Sequence, residues 1–420
     1  MKRAVIIEAA ALYWPLCFAL FLIIYRRPSS LERAAIAMAA TWQASALVML
    51  NVLAQRLGWW SFSDSYLSIL GMPLSLYLGW VLLWGVVAVL LLKKMGVVLT
   101  IALLLAFDLL VMPLMAPTLI LGDFWVLGEG VLLLLGLLPG LLLASWVISG
   151  RCPSWRAGLI TLAFVTLVMI IFPLIGEQDK VWQHVTNMPS WVRWSICAVL
   201  FFVGLPGLAG VIEFAREGMG TPIPFDPPKK LVMTGVYSYI ANPMQTSMCC
   251  VFLLEGVLFQ SWTCIGLALI SVVYSEGIAK WSEGQDMTKR YGKRWQDYLK
   301  IVPRWRCRLT PQIPESATNA KLYYADNCSV CSNIGKWFVR QQPMGVAIAP
   351  ASEYTEGALQ RITYVSASGC RRSGVAAISA ALQHIHLGWA MLGWLMQLPG
   401  CCQIAQMAMD ASGAAPAKSR

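Results

Sequence analysis

Residues 84–108 read Trp84-Gly-Val-Val-Ala-Val-Leu-Leu-Leu-Lys93-Lys94-Met-Gly96-Val-Val-Leu-Thr-Ile-Ala-Leu-Leu-Leu-Ala-Phe-Asp108. Two apolar runs meet at a pair of lysines, and each run extends outward, to 65 on one side and to 118 on the other. A helix needs about 20 mostly apolar residues to cross a bilayer core, so each side of Lys93-Lys94 is long enough for one span. Similar runs recur at 4–25, 34–55, 124–149, 156–176 and 190–215. Two shorter ones, 243–259 and 261–280, share a turn at Gln260-Ser261 and read as a helical hairpin. Composition agrees: 58% of the 420 residues are hydrophobic and 13% are charged, against about a quarter charged in soluble domains. The expected fold is mainly α, a polytopic membrane helical bundle of about nine spans.

Lys2 and Arg3 precede the first run, but no small-residue cleavage site follows it and another span comes at once, so a retained helix is expected. Basic residues alternate between loops. Arg26, Arg27 and Arg33 flank one loop, Lys93-Lys94 the next on that side, and Arg151 and Arg156 the third. The flank 280–308 holds nine basic residues against three acids, Glu283, Asp286 and Asp297. The intervening loops are poor in Lys and Arg, which places the C-terminal end in the cytoplasm. The formal charge of +11 therefore calls for no nucleic acid; most of it would lie against anionic headgroups. Twelve cysteines are scattered, several inside spans, and form no secreted-type disulfide framework.

Asp108 falls near the centre of its span and Glu129 inside the next. Ionisable groups at that depth are functional candidates. Two readings of Asp108 stand side by side: a functional site, or a structural group that hydrogen-bonds a neighbouring helix or sits nearer the interface in a shifted span.

Chemistry becomes readable further on. The chain runs Gly235-Val-Tyr237-Ser-Tyr-Ile-Ala-Asn242-Pro243-Met244, then the hairpin. After it come Glu283-Gly-Gln-Asp-Met-Thr-Lys-Arg-Tyr291-Gly292-Lys-Arg-Trp295-Gln-Asp-Tyr298 and Val302-Pro303-Arg304-Trp305. This order resembles the isoprenylcysteine carboxyl methyltransferase and phospholipid methyltransferase superfamily over about 200–308. Members carry Gly-x-Tyr-x-x-x-Arg-His/Asn-Pro-x-Tyr, a hairpin, Glu-Glu-x-x-Leu-x-x-x-Phe-Gly-x-x-Tyr-x-x-Tyr and Val-Pro-Arg. The Pro-rich run 220–229 is similar to that of bacterial members. The resemblance implies S-adenosyl-L-methionine as cofactor, held on the cytoplasmic side of a bacterial inner membrane. It implies that Gly235 and Tyr237 shape a turn, that Asn242 and Pro243 contact the cofactor, and that Glu283 holds its polar groups. Tyr291, Tyr298 and Arg304 would close the interfacial cap. Methyl transfer relies on in-line positioning in a dry site, and a pocket open to the bilayer suits a lipophilic acceptor. Three positions depart from the pattern: Ala241 replaces the Arg, Gln245 the Tyr, and Gly284 the second Glu.

The last segment opens with Lys321-Leu-Tyr-Tyr-Ala-Asp-Asn327-Cys328-Ser-Val-Cys331 and an amphipathic run, a strand–turn–helix pattern. A Cys at a helix N-terminus has its thiolate favoured, which suits disulfide exchange. Arg361-Ile-Thr-Tyr-Val-Ser-Ala-Ser-Gly369 reads as a strand and turn, and 374–398 as one helix. The pattern resembles the DCC family of thiol-disulfide oxidoreductases, which implies a small α/β thioredoxin-like domain with Cys328 and Cys331 as its catalytic pair. Ala325, Asp326 and Asn327 replace the family's acidic and glycine positions before the first cysteine. Cys370, His384, His386, Cys401 and Cys402 match no common zinc spacing, so no metal is expected. His384 and His386 read as surface or packing residues.

The expected organisation is a helical membrane region of unknown role (1–185), a methyltransferase-like membrane domain (186–309), a linker (310–320), the thioredoxin-like domain (321–410) and a disordered tail (411–420). The expected activity is methyl transfer to a lipophilic small-molecule or lipid acceptor, with an appended redox module and a thiol redox partner. The competing expectation is a membrane-anchored thiol-disulfide oxidoreductase whose methyltransferase-like part is a scaffold.

Overall fold

The computed structural model describes residues 2–65, 67–174, 178–220, 228–313, 320–325, 329–355 and 359–414. Most of the Pro-rich run 220–229, most of the linker, Asp326, Asn327, Cys328 and the end of the tail lie outside the described residues. Seven helices are long and apolar enough to cross a membrane, from Arg3–Arg26 to Trp262–Ala279, and Pro243–Leu258 is a shorter apolar helix. One of the seven, Leu74–Met115, has 42 residues. At 1.5 Å per residue it would be about 63 Å long, twice a hydrocarbon core. It is broken at Gly96, where φ is +72° and ψ is 173°, so the sequence reading of two spans flanking the lysine pair describes its geometry. The protein is an integral membrane protein.

The chain divides into two compact units. The first holds Met1–Pro189 with Gly220–Pro227 and Glu255–Ile265. Ser30–Arg56 is its centre, started by a reciprocal cap in which Ser29 Oγ accepts from the Glu32 amide and Glu32 Oε2 from the Ser29 amide. In lipid there is no hydrophobic gain in pairing two apolar helices, so close approach of small residues has to supply the packing. Ala34, Ala35, Ala39 and Ala54 are fully buried here. A Cβ on Gly85 would stand 2.7 Å from Ala40 Cα, and one on Gly79 2.0 Å from the Ala11 carbonyl. Buried donors find main-chain partners: Trp42 Nε1 and Gln43 Nε2 both donate to the Gly136 carbonyl, at 2.8 and 3.1 Å. That carbonyl lies in a wide π-type turn, Leu133–Leu137, which opens the helical ladder. Asp108 is fully buried and accepts from Trp84 Nε1 (3.3 Å) on the helix before the Gly96 break, and Glu129 lies beside it. Of the two readings of Asp108, the neighbouring-helix hydrogen bond is therefore present.

The second unit holds Ser190–Met219, Pro228–Leu254 and Gly266–Arg420. Its membrane part is the Ser190–Gly218 helix, which contains Pro206, and the hairpin helices outside 255–265. The Gly207 amide donates to Ser247 Oγ (2.9 Å), tying this helix to the first hairpin helix. The second hairpin helix continues as Lys280–Tyr291, stops at Gly292 with φ +53°, and restarts as Lys293–Ile301.

A four-stranded sheet follows. Ala320–Tyr324 pairs parallel with Val346–Pro350 and antiparallel with Thr363–Val365, which pairs antiparallel with Arg371–Ser373. The spatial order is second, first, third, fourth. Ser329–Gln341 crosses between the two parallel strands, as such a pair requires. Its Phe338 is fully buried with Leu322 and Ile362, each contributing about 1.5–3 kcal/mol by leaving water.

The expected helix over 374–398 is two helices, Val375–Leu382 and Leu387–Gln397. The reason is His384, whose Nδ1 pairs with the Met344 carbonyl (2.7 Å) and Nε2 with the Tyr364 hydroxyl (2.9 Å). His386, at the start of the second helix, caps the Gly388 amide (3.1 Å). The predicted linker is ordered at its start, where the Gln312 amide donates to the Ser238 carbonyl (2.7 Å). Residues 411–414 extend the last helical turn.

Candidate functional site

The second unit gathers the motif residues by folding 302–308 back along 239–242. The Ala241 amide donates to the Pro303 carbonyl (2.9 Å), Asn242 to Arg304 (3.3 Å) and Arg308 to Tyr239 (3.0 Å). Val302, Tyr298 and Ala241 are buried together beneath that pairing. The Tyr298 hydroxyl donates to the Tyr237 carbonyl (2.8 Å), a bond between residues 61 apart. Trp305 Nε1 donates to Glu276, which also pairs with Lys280 (2.8 Å), so the returning segment is pinned to the helix that carries Glu283.

Gly235 opens the turn with φ +62°, and the turn closes with Tyr237 and Ser238 buried. The position has no room for a side chain: a Cβ would lie 2.8 Å from Glu213 Cδ and 3.0 Å from Gln383 Oε1. Tyr237 stacks at a tilt on Phe214, 5.8 Å between centroids. Burial raises its hydroxyl pKa, and Tyr298, Glu213 and Glu283 add to that, so it stays un-ionised. Pro243 seats against Gly210, where a Cβ would meet Pro243 Cγ at 2.9 Å. The Asn242 carbonyl caps the following helix through the Thr246 amide (3.0 Å).

Glu283 is half-buried in the first turn of Lys280–Tyr291. Burial pushes its carboxyl above the ordinary value, and Arg304 pulls the other way. Among the described residues its carboxylate takes no hydrogen bond. Tyr291 reaches the Pro228 carbonyl with its hydroxyl (2.9 Å). Thus Tyr237, Asn242, Glu283, Tyr298 and Arg304 converge, Gly235 and Pro243 shape the backbone beside them, and Tyr291 holds the segment after the Pro-rich run. Cys331 is buried in the first turn of Ser329–Gln341; Cys328 lies outside the described residues.

Of the three departures, Gln245 accepts from Ser275 Oγ (2.6 Å), linking the two hairpin helices. Gly284 has open space where a side chain would project. Ala241 is buried against the return of 302–308.

A cluster the motifs do not contain stands behind the turn. Arg372 Nη2 meets Glu213 Oε2 at 2.9 Å and Glu217 Oε1 at 3.1 Å, with all three side chains at least 94% buried. Glu213 Oε1 accepts from Thr234 Oγ1 (2.7 Å), and Glu217 from Ser366 (3.3 Å) and Ser368. The two carboxylates more than offset the effect of burial on the guanidinium and raise its pKa.

The sequence model of the phospholipid methyltransferase family matches residues 214–294. The match spans Glu217, the 235–243 turn, the hairpin and Glu283, and stops before Tyr298 and Arg304. The chain is thus an integral membrane protein carrying a methyltransferase-like segment. No curated protein and no solved structure matches it.

The convergent groups fit S-adenosylmethionine in their chemistry. Its methionine end carries an ammonium and a carboxylate, and Glu283 and Arg304 are an adjacent anion and cation. Thr246 Oγ1, in the first turn after Pro243, is buried and has no partner among the described residues.

Proposed function

We propose that the protein is an S-adenosylmethionine-dependent methyltransferase acting on a lipophilic acceptor, of the isoprenylcysteine and phospholipid methyltransferase kind. The observation that carries this reading is the fold-back of 302–308 onto 239–242, which with the Trp305–Glu276 bond brings Arg304 to the helix that carries Glu283, next to the family-matched 235–238 turn. When bound, the cofactor supplies an electrophilic methyl group on a sulfonium. The chain's residues bind and orient it. Glu283 faces the ammonium, Arg304 the carboxylate, and Asn242 lies at their backbone junction. Tyr298 locks the turn through the Tyr237 carbonyl. Tyr291 and the 302–308 segment close the cap and exclude water.

We place nine spans in the membrane. Counting Leu74–Met115 as two at Gly96 and adding Pro243–Leu258 brings the seven long helices to nine. The basic flank 280–308 then puts the site and the C-terminal region on the cytoplasmic side of a bacterial inner membrane.

The 321–410 region reads as thioredoxin-like, with Cys328 and Cys331 as a thiol–disulfide pair and a thiol partner. Support comes from the strand order second, first, third, fourth, with one parallel and two antiparallel pairings, and from Cys331 in the first turn of the intervening helix. The competing reading, a redox protein on an inert scaffold, predicts thiol exchange indifferent to S-adenosylmethionine.

Binding of S-adenosylmethionine to detergent-purified protein, beside Glu283→Ala, separates the two. Saturable binding lost in the variant supports the methyltransferase; no binding by folded wild-type protein refutes it.

A further inference from the structure

Arg372, Glu213 and Thr234 form one strut. Arg372 stands on the last strand of the C-terminal sheet, 159 residues from Glu213. Glu213 and Glu217 are four residues apart, on one face of the Ser190–Gly218 helix, and a single nitrogen, Arg372 Nη2, serves both. With its second oxygen Glu213 holds the Thr234 hydroxyl at 2.7 Å, and Thr234 precedes Gly235. The carboxylate is thus clamped between a guanidinium and the residue that begins the turn. The other flank of the turn rests on Gln383, from the same C-terminal region. Its Oε1 accepts from Trp394 Nε1 (3.0 Å) and faces Gly235, and its carbonyl accepts from the Tyr239 hydroxyl (2.9 Å). Trp394 also packs edge-on to Tyr239 at 5.7 Å.

Without the cation, two carboxylates a helical turn apart would be buried together. They would have to separate or take up a proton, and either change moves Glu213 away from Thr234. The 214–294 family match contains Arg216, Glu217 and the turn; Glu213 stands one residue before it and Arg372 far beyond it.

We infer that Arg372 is a positioning residue for the methyl-transfer site: through Glu213 and Thr234 it sets the 235–238 turn, so the C-terminal region is a working part of that site. This rests on the methyltransferase reading above. A residue that only joined two regions would change stability and leave the turn's affinity for its ligand alone.

The test uses the full chain in detergent. It reads S-adenosylmethionine affinity by calorimetry, the melting temperature, and amide hydrogen exchange over 233–242. Arg372→Met should weaken binding about 10- to 100-fold, the scale on which small misplacements act. Arg372→Lys, which keeps the cation, should recover most of that loss. Thr234→Val cuts the strut at its other end with the ion cluster intact, and decides the matter if Arg372→Met does not fold; it should weaken binding at least fivefold. Phe338→Leu, in the sheet core, should lower the melting temperature and leave affinity within twofold. The inference is overturned if Thr234→Val and the Arg372 variants bind as wild type does. It is equally overturned if affinity merely tracks melting temperature across all variants. Hydrogen exchange separates the two failures. Faster exchange over 233–242 in Arg372→Met or Thr234→Val, with Arg372→Lys close to wild type, upholds the strut even where wild-type protein binds no donor, which refutes the methyltransferase reading alone. Unchanged exchange refutes the strut.

Discussion

Replacing Gly235 by alanine should destabilise the second unit by about 2–5 kcal/mol. Gly235 sits at φ +62°, a conformation that costs a residue with a side chain about 1–2 kcal/mol. The added methyl carbon would stand 2.8 Å from Glu213 Cδ and 3.0 Å from Gln383 Oε1. Neither neighbour can swing aside freely. Glu213 is held by Thr234 and Arg372, and Gln383 by Trp394 and the Ser379 carbonyl. Releasing one such buried bond costs about 1–3 kcal/mol, which brings the total to the figure above. Gly284→Ala is the matched control. It is the same chemical change inside the Lys280–Tyr291 helix, where nothing lies within 4 Å of the new carbon. There alanine should stabilise by about 0.5–1 kcal/mol. Unfolding in a denaturing-detergent titration, followed by far-UV circular dichroism, reads both variants on one scale. If Gly235→Ala came within about 0.5 kcal/mol of wild type, the reasoning from the clamped turn would be wrong.

Three further expectations follow from single contacts. Tyr298→Phe removes the donor to the buried Tyr237 carbonyl and should cost about 1–3 kcal/mol; the same titration checks it, and an unchanged midpoint would mean water replaces the hydroxyl. Donor affinity should fall as pH drops through the raised Glu283 pKa, since protonation removes the anion that faces the ammonium. Calorimetry between pH 7 and 4 reads this, and Glu283→Gln should flatten the curve. Burial lowers the His384 pKa, and its contact with the Met344 carbonyl only partly opposes this. An unfolded histidine takes a proton below about pH 6.5 while the folded one stays neutral. Stability should therefore decline as pH falls below that value, until the folded pKa is passed. His384→Gln should remove this part of the decline, and an identical pH–stability curve for the variant would count against it.

Much of the membrane part was legible because span length is a one-dimensional property: apolar runs ended by Lys93-Lys94, Arg151 or Gln260-Ser261 are visible without knowing what packs on what. The Gly235-to-Arg304 motifs were legible for a related reason, since their order is linear. What the order could not reveal is that 302–308 lies along 239–242, or that the Tyr298 hydroxyl bonds the Tyr237 carbonyl. The ion cluster was invisible. Glu213 and Glu217 fall at the end of an apolar helix and Arg372 outside every motif, and a partner 159 residues away leaves no periodic trace. His384 was read as a surface or packing residue; it is buried, and its two hydrogen bonds account for that burial and for the break in a segment whose apolar pattern runs through it. A buried histidine accepting or donating at both ring nitrogens has no signature in residue spacing.

The distance between Glu213 and Arg372 also orders events during synthesis. The helix carrying both carboxylates leaves the ribosome 159 residues before the arginine that neutralises them. At about 5–20 residues per second that interval is roughly 8–30 seconds. Throughout it, the end of the Ser190–Gly218 segment holds two acids and Arg216 but lacks Arg372, and such charged groups favour the aqueous boundary over the bilayer interior. The nascent chain therefore inserts this segment with its carboxylate end parked at the water interface. The turn at 235–238 acquires its backing only when the final sheet strand arrives, so maturation of the membrane-side site waits for translation to pass residue 372.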